Sequence, residues 1–101
     1  MKRLEEIFGN EKADLEEAKV LLEVLMPTQE PVNDTYLMRA CVKGITDVRE
    51  RHPGPHRFGG INRVLIHLGE HGYIEISGED DKRYYMGQKA NNFFRENYMR
   101  V

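Results

Sequence analysis

Gly60-Ile61-Asn62-Arg63-Val64-Leu65-Ile66-His67-Leu68-Gly69-Glu70-His71-Gly72-Tyr73-Ile74-Glu75-Ile76 changes its period part-way along. In the first half Ile61, Val64, Leu65 and Leu68 recur at i, i+3, i+4 and i+7, the spacing that lines up apolar side chains on one face of a helix. The opposite face of that helix carries Asn62, Arg63, Ile66, His67 and Glu70. Gly72 stands where a C-terminal cap belongs. Beyond it Tyr73-Ile74-Glu75-Ile76-Ser77 alternates apolar with polar, which is strand spacing. A charged turn, Gly78-Glu79-Asp80-Asp81, and a second alternating run, Arg83-Tyr84-Tyr85-Met86, complete a β-hairpin.

Upstream, His52-Pro53-Gly54-Pro55-His56 is a rigid loop, because two prolines and a glycine deny the chain helical geometry. Before it, Leu37, Ala40, Cys41, Ile45 and Val48 share one helical face up to about Arg51, behind the N-cap residue types Asn33, Asp34 and Thr35. Gly44 counts against the middle of that helix, at ~1 kcal/mol relative to alanine. Val32 is expected in a very short strand. Pro27 ends an earlier helix that runs from Glu11 to about Leu25, with Asn10 as its expected N-cap and Leu15, Ala18, Leu22 and Leu25 as its stripe. Val20, Leu21 and Val24 add apolar surface outside that stripe. Leu4, Ile7 and Phe8 mark a short first turn, broken at Gly9. Downstream of the hairpin a last helix begins near Gln88, with Ala90, Phe93, Phe94 and Tyr98 along one side. The expected fold is α+β, a helical bundle with a small antiparallel β-hairpin, forming one domain over residues 1–101 with its core at about 11–97.

Charge is unevenly spread. The chain of 101 residues has formal charge −2, which argues against a condenser coated in positive charge. Residues 1–30 carry net −4, residues 31–72 net +2, and residues 73–101 net 0. The middle block also holds all four histidines, so a polyanion would bind there. A single cysteine, Cys41, excludes an internal disulfide and a four-cysteine zinc site; on the apolar face of its helix it reads as a core residue. No apolar run approaches the ~18 residues of a membrane-spanning helix, so no membrane is expected, and the cytoplasm is the default address.

Catalytic chemistry finds little support. His67-Leu68-Gly69-Glu70-His71 has the H-x-x-E-H spacing of inverted zinc peptidases, but Gly72-Tyr73-Ile74 already explains the segment as a helix end. His52, His56, His67, His71 and Cys41 could include ligands for zinc or nickel, against the simpler reading as surface or phosphate-facing groups. No serine or cysteine has a neighbouring base, and Phe58-Gly59-Gly60 is too short for a phosphate-cradling loop. No enzyme activity, metal or cofactor is expected.

The order of elements is helix, short strand, helix, turn, helix, two-stranded hairpin, helix. With Gly60 to Ile76 as quoted, the chain resembles the winged helix-turn-helix family. The segment is similar to the recognition helix of bacterial and archaeal MarR-like or PadR-like regulators, which commonly ends in leucine, a few polar residues, and Gly-Tyr-Ile leading into the wing. Tyr85-Met86-Gly87-Gln88-Lys89-Ala90 through Phe93-Phe94 is similar to the family's exit from the wing. A Thr-x-x-Gly pattern is usual there, from which Gln88 and Ala90 depart. The resemblance implies a DNA-binding transcription regulator, with helix 58–71 reading the duplex and residues 73–86 as the wing.

A helix of this length, held between another helix and a hairpin, fits a DNA major groove. Arg63 would then donate to guanine, Asn62 to adenine, and His67 to a base or a phosphate. Arg57 suits a phosphate, as do the backbone N–H groups of Gly59 and Gly60 at the helix start. Lys82 and Arg83 lie at the wing tip. Glu79, Asp80 and Asp81 beside them would repel phosphates, which keeps a protein-interaction module without DNA binding as the competing reading. A homodimer is expected, because one reading helix buries little surface. The surplus apolar residues of the first long helix, with Phe94, Tyr98 and Met99, are its candidate interface.

Overall fold

The computed structural model describes residues 1–54 and 60–99. Among them the chain forms α1 (Leu4–Phe8), α2 (Lys12–Leu25), β1 (Val32–Asn33), α3 (Asp34–Arg51), α4 (Ile61–Glu70), β2 (Glu75–Ser77), β3 (Arg83–Tyr85) and α5 (Gln88–Tyr98). The architecture is α+β, five helices with a small antiparallel sheet in the order β1-β3-β2. β3 pairs with β2 through Ile76 opposite Tyr84, and with β1 through Val32 opposite that same Tyr84.

Local signals account for most boundaries. Asn33 ends β1 and caps α3, its side chain accepting a hydrogen bond from the Tyr36 N–H at 2.8 Å, which satisfies one of the donors a helix start leaves open. Gly72, at φ 80°, closes α4. There the Tyr73 N–H reaches the Leu68 carbonyl at 3.0 Å and the Gly72 N–H reaches Gly69 at 3.1 Å, the paired bonds of a Schellman end. Tyr73 and Leu68 are both fully buried, so the motif also carries its hydrophobic contact. The turn between β2 and β3 needs glycine: Gly78 has φ 83°, and a Cβ there would stand 2.5 Å from the Asp81 carbonyl oxygen.

α2 lies at the centre and packs against α1, α3 and α4. Three neighbours bury a wider arc than one stripe, and Leu21 joins Ala18, Leu22 and Leu25 in the core while Leu15 is only half-buried. Leu21 is therefore core rather than surplus. Asp14 and Glu17 are also fully buried on this helix, which its apolar pattern did not announce. Its expected cap at Asn10 is replaced by Glu11, whose side chain makes no cap hydrogen bond.

Val20 has a specific use. A Cβ on Gly44 would fall 2.7 Å from Val20 Cγ1, so the mid-helix glycine of α3 lets α2 and α3 approach closely there. The ~1 kcal/mol propensity cost of glycine is thus offset by packing. On α3 the buried face is Leu37, Cys41, Ile45 and Val48; Ala40, expected on it, is exposed. The Cys41 thiol donates toward the Met38 carbonyl at 3.6 Å, and burial pushes its pKa up, as suits a core residue.

The N-terminus is tied to α5. Tyr98 accepts from the Leu4 N–H at 2.5 Å and donates to the Glu5 carboxylate at 2.8 Å, and the Tyr73 hydroxyl donates to the Lys2 carbonyl. Phe94 is fully buried beneath this clamp and stacks on Tyr98. Phe94 and Leu21, expected at a subunit interface, are thus spent inside the chain. No helix among the described residues is long and apolar enough to cross a membrane.

Candidate functional site

α4 is the element whose two faces differ most. Val64, Leu65 and Leu68 are buried, and the helix packs against α2. Asn62, Arg63, Ile66 and Glu70 are exposed, with Ile66 at 49%. At helical spacing these four form one continuous strip along the outside. The sequence places the same four there, and the geometry brings them together. Arg63 makes no ion pair among the described residues, so its guanidinium is available to an outside acceptor.

One flank of α4 is set by the hairpin. A Cβ on Gly69 would lie 3.2 Å from Ile76 Cδ1, so the helix and β2 nearly touch and the glycine permits it. The other flank is set by α1. His67 was expected on the outer face, but only 24% of its side chain is exposed. Its Nε2 lies 3.3 Å from the Ile7 carbonyl and its Nδ1 3.6 Å from the Glu70 carboxylate. Its ring meets Phe8 edge to face, centroids 5.3 Å apart, and His71 at 4.9 Å. His67 therefore joins α4 to α1. His67 and His71 do share a side, as the H-x-x-E-H spacing requires, yet among the described residues no three histidine, cysteine or acidic side chains gather as a metal site.

Gly60 is the N-cap of α4, with φ 134°, and brings no capping side chain. The first helical bond runs from the Val64 N–H to the Gly60 carbonyl, so the N–H groups of Ile61, Asn62 and Arg63 precede the ladder. A cleft of about 430 Å³ opens here, lined by Met38 and Arg49 of α3 and by Gly60, Ile61, Asn62 and Arg63. Arg49 was not singled out in the sequence, where it reads only as one of two basic residues in the last turn of a helix. Its Nε stands 3.5 Å from a carboxylate oxygen of the buried Glu17. The chain spacing of Glu17 and Arg49 carries no local signal of that pair.

Lys82 and Arg83 are exposed at the hairpin tip, beside Glu79, Asp80 and Asp81, which are exposed too. Arg83 pairs with Asp81 at 3.4 Å, so part of its charge is answered within the turn. Arg83 stands opposite both Ser77 and Asn33 in the sheet, which places it beside the N-terminus of α3. Arg57, Phe58 and Gly59, with His56, lie outside the described residues, so α4 is described from Ile61 rather than from 58. The hairpin strands span residues 75–77 and 83–85, within the 73–86 expected for a wing; Tyr73 and Ile74 are buried in the core instead.

Comparison of the chain with protein-family models, with curated proteins and with solved structures gives no match.

Proposed function

We propose that the chain is a DNA-binding protein of winged-helix architecture, a cytoplasmic transcriptional regulator that lays α4 in the major groove and uses the β2–β3 hairpin as its wing. The observation that carries the reading is the outer strip of α4, where Asn62, Arg63, Ile66 and Glu70 are exposed on a helix held on both flanks. A rigidly held helix of 10 residues with one free face suits a groove about 12 Å wide. Each exposed side chain has a base-edge partner: arginine with guanine, asparagine with adenine, an aliphatic group with the thymine methyl, and a carboxylate with the cytosine amine. The order α2, β1, α3, α4, β2, β3, with β1 on the edge of β3 away from β2, supports the winged-helix assignment.

Two copies acting on paired half-sites would supply the surface that one reading helix lacks. With Leu21 and Phe94 buried in the chain's own core, they drop out of the expected dimer contact, which in this proposal draws on the partly buried Val24 and Met99. A monomeric mass by analytical ultracentrifugation at micromolar concentration would remove the dimer from the proposal. The second reading, a winged helix that binds protein, is favoured by Val42 and Ile66, exposed at 60% and 49%, and by the acidic hairpin tip.

Fluorescence anisotropy with a 30-base-pair duplex over a salt series, on wild type and Arg63→Ala, separates the two. DNA binding predicts log affinity falling linearly with log salt and a weaker Arg63→Ala. No binding at low salt favours the protein partner.

A further inference from the structure

Glu17 is fully buried in α2, and a carboxylate is costly to remove from water unless something gains from it. One ion pair it makes is with Arg49, whose Nε stands 3.5 Å from a carboxylate oxygen. A guanidinium engaged at Nε keeps both terminal amino groups for another acceptor. The Arg49 side chain remains 55% exposed, and it lines the cleft of about 430 Å³ at the start of α4. Arg63 lines the same cleft from α4, and among the described residues no acidic side chain lines it. Two cations from two helices, one of them ion-paired with a buried carboxylate, share the cleft with backbone N–H groups that have no helical acceptor and that the N-cap residue Gly60 does not cap.

We infer that this cleft is a seat for a phosphodiester oxyanion, with Arg49 and Arg63 as its cationic walls and Glu17 as the residue that positions Arg49. A phosphodiester has two charged oxygens at a spacing that an arginine fork can bridge. Met38 and Ile61 give the seat an apolar side, which suits the sugar carbons next to a backbone phosphate. This inference rests on the DNA reading for the identity of the ligand: the cleft adjoins Asn62 and Arg63, which begin the outer strip of α4, so a strand passing that strip would bring a phosphate to it. Neither Arg49 nor Glu17 belongs to the reading strip, so the seat positions the duplex and leaves base choice to α4.

The test has two arms. In the first, the 30-base-pair duplex is titrated across a salt series with wild type, Arg49→Met and Glu17→Gln. Losing one phosphate contact should lower the slope of log affinity against log salt by about 0.9 in Arg49→Met. Glu17→Gln keeps the arginine charge but releases its tether, so affinity should fall with the slope retained. An unchanged slope and affinity in Arg49→Met would overturn the seat; because that variant leaves the buried Glu17 carboxylate without this cation, the double variant Glu17→Gln/Arg49→Met is titrated beside it, and an unchanged slope and affinity in the double variant would overturn the seat as well. In the second arm, dimethyl phosphate is added to the ¹⁵N-labelled wild-type chain. The Gly60, Ile61 and Asn62 amides and Arg49 Nε should shift together, and their failure to shift would overturn the seat. Shifts with dimethyl phosphate but no duplex binding would sink the DNA reading and leave the anion seat standing.

Discussion

Arg63 and His67 stand one turn apart on α4, both polar and both on the side away from its apolar stripe, yet the chain uses them differently. Arg63 is exposed and makes no ion pair among the described residues. His67 is held by the Ile7 carbonyl and packed on Phe8. The difference comes from α1, a five-residue helix that docks along one flank and leaves the outer strip of α4 to the solvent. Helical spacing is a local property and assigns the two residues alike. A partner 60 positions away in the chain is not local, and it turns a candidate reader into a joint between helices.

The largest effect expected is from removing the docked flank. Phe8 is 1% exposed and touches both the core and His67. Phe8→Ala should cost about 3–5 kcal/mol of stability, the usual range for a buried aromatic truncated to alanine, measured by urea unfolding. A loss under about 1 kcal/mol would mean that α1 is not docked as described, and His67 would rejoin Arg63 as a candidate reader.

The next test sets the two residues against each other. Arg63→Ala should weaken duplex binding by about 1–3 kcal/mol, the worth of a bidentate base contact, with the unfolding midpoint unchanged. His67→Ala should do the reverse, lowering stability by about 1 kcal/mol for the lost hydrogen bond with a smaller loss of affinity. Should His67→Ala weaken binding as much as Arg63→Ala at unchanged stability, the two flanks would be functionally equal and the contrast would be gone.

The same distinction explains what the sequence could reveal. The order of helices and strands was legible because caps, prolines and periods act over a few residues: Asn33 starts α3, Gly72 ends α4, and Val32 pairs where a very short strand was expected. The exposed strip Asn62, Arg63, Ile66 and Glu70 followed from the same period. What stayed hidden depends on tertiary neighbours. Glu17 is buried on α2 and paired with Arg49 of α3, Val20 is used because Gly44 lets α3 approach, and the tyrosine clamp ties α1 to α5. A stripe drawn on α2 alone assigns the apolar residues but cannot tell how many helices will surround it.

The smallest effect expected is a pH dependence that begins on the docked flank. Tyr98 holds the first residues of α1 through the Leu4 N–H and the Glu5 carboxylate, with the Arg3 guanidinium 5.4 Å and the Lys19 ammonium 5.1 Å from its ring centre. Burial first, and then the hydrogen bond given to Glu5, push its pKa up to about 12. In the unfolded chain the same phenol ionises near 10, so the folded state favours the neutral form. Its contribution is fully present below about pH 10 and is lost as pH rises toward about 12. Burial also raises Tyr73 and Tyr84, so both wild type and Tyr98→Phe should lose stability in alkali, wild type more steeply. Urea midpoints taken from about pH 8 to about pH 11 would show it, and parallel curves would mean that the Tyr98 hydroxyl does not help fix α1. Because the lost bonds belong to Leu4 and Glu5, the His67 ring should respond to alkali before the amides of Asn62 and Arg63 do. A simultaneous response would place α1 and the outer strip of α4 in one cooperative unit.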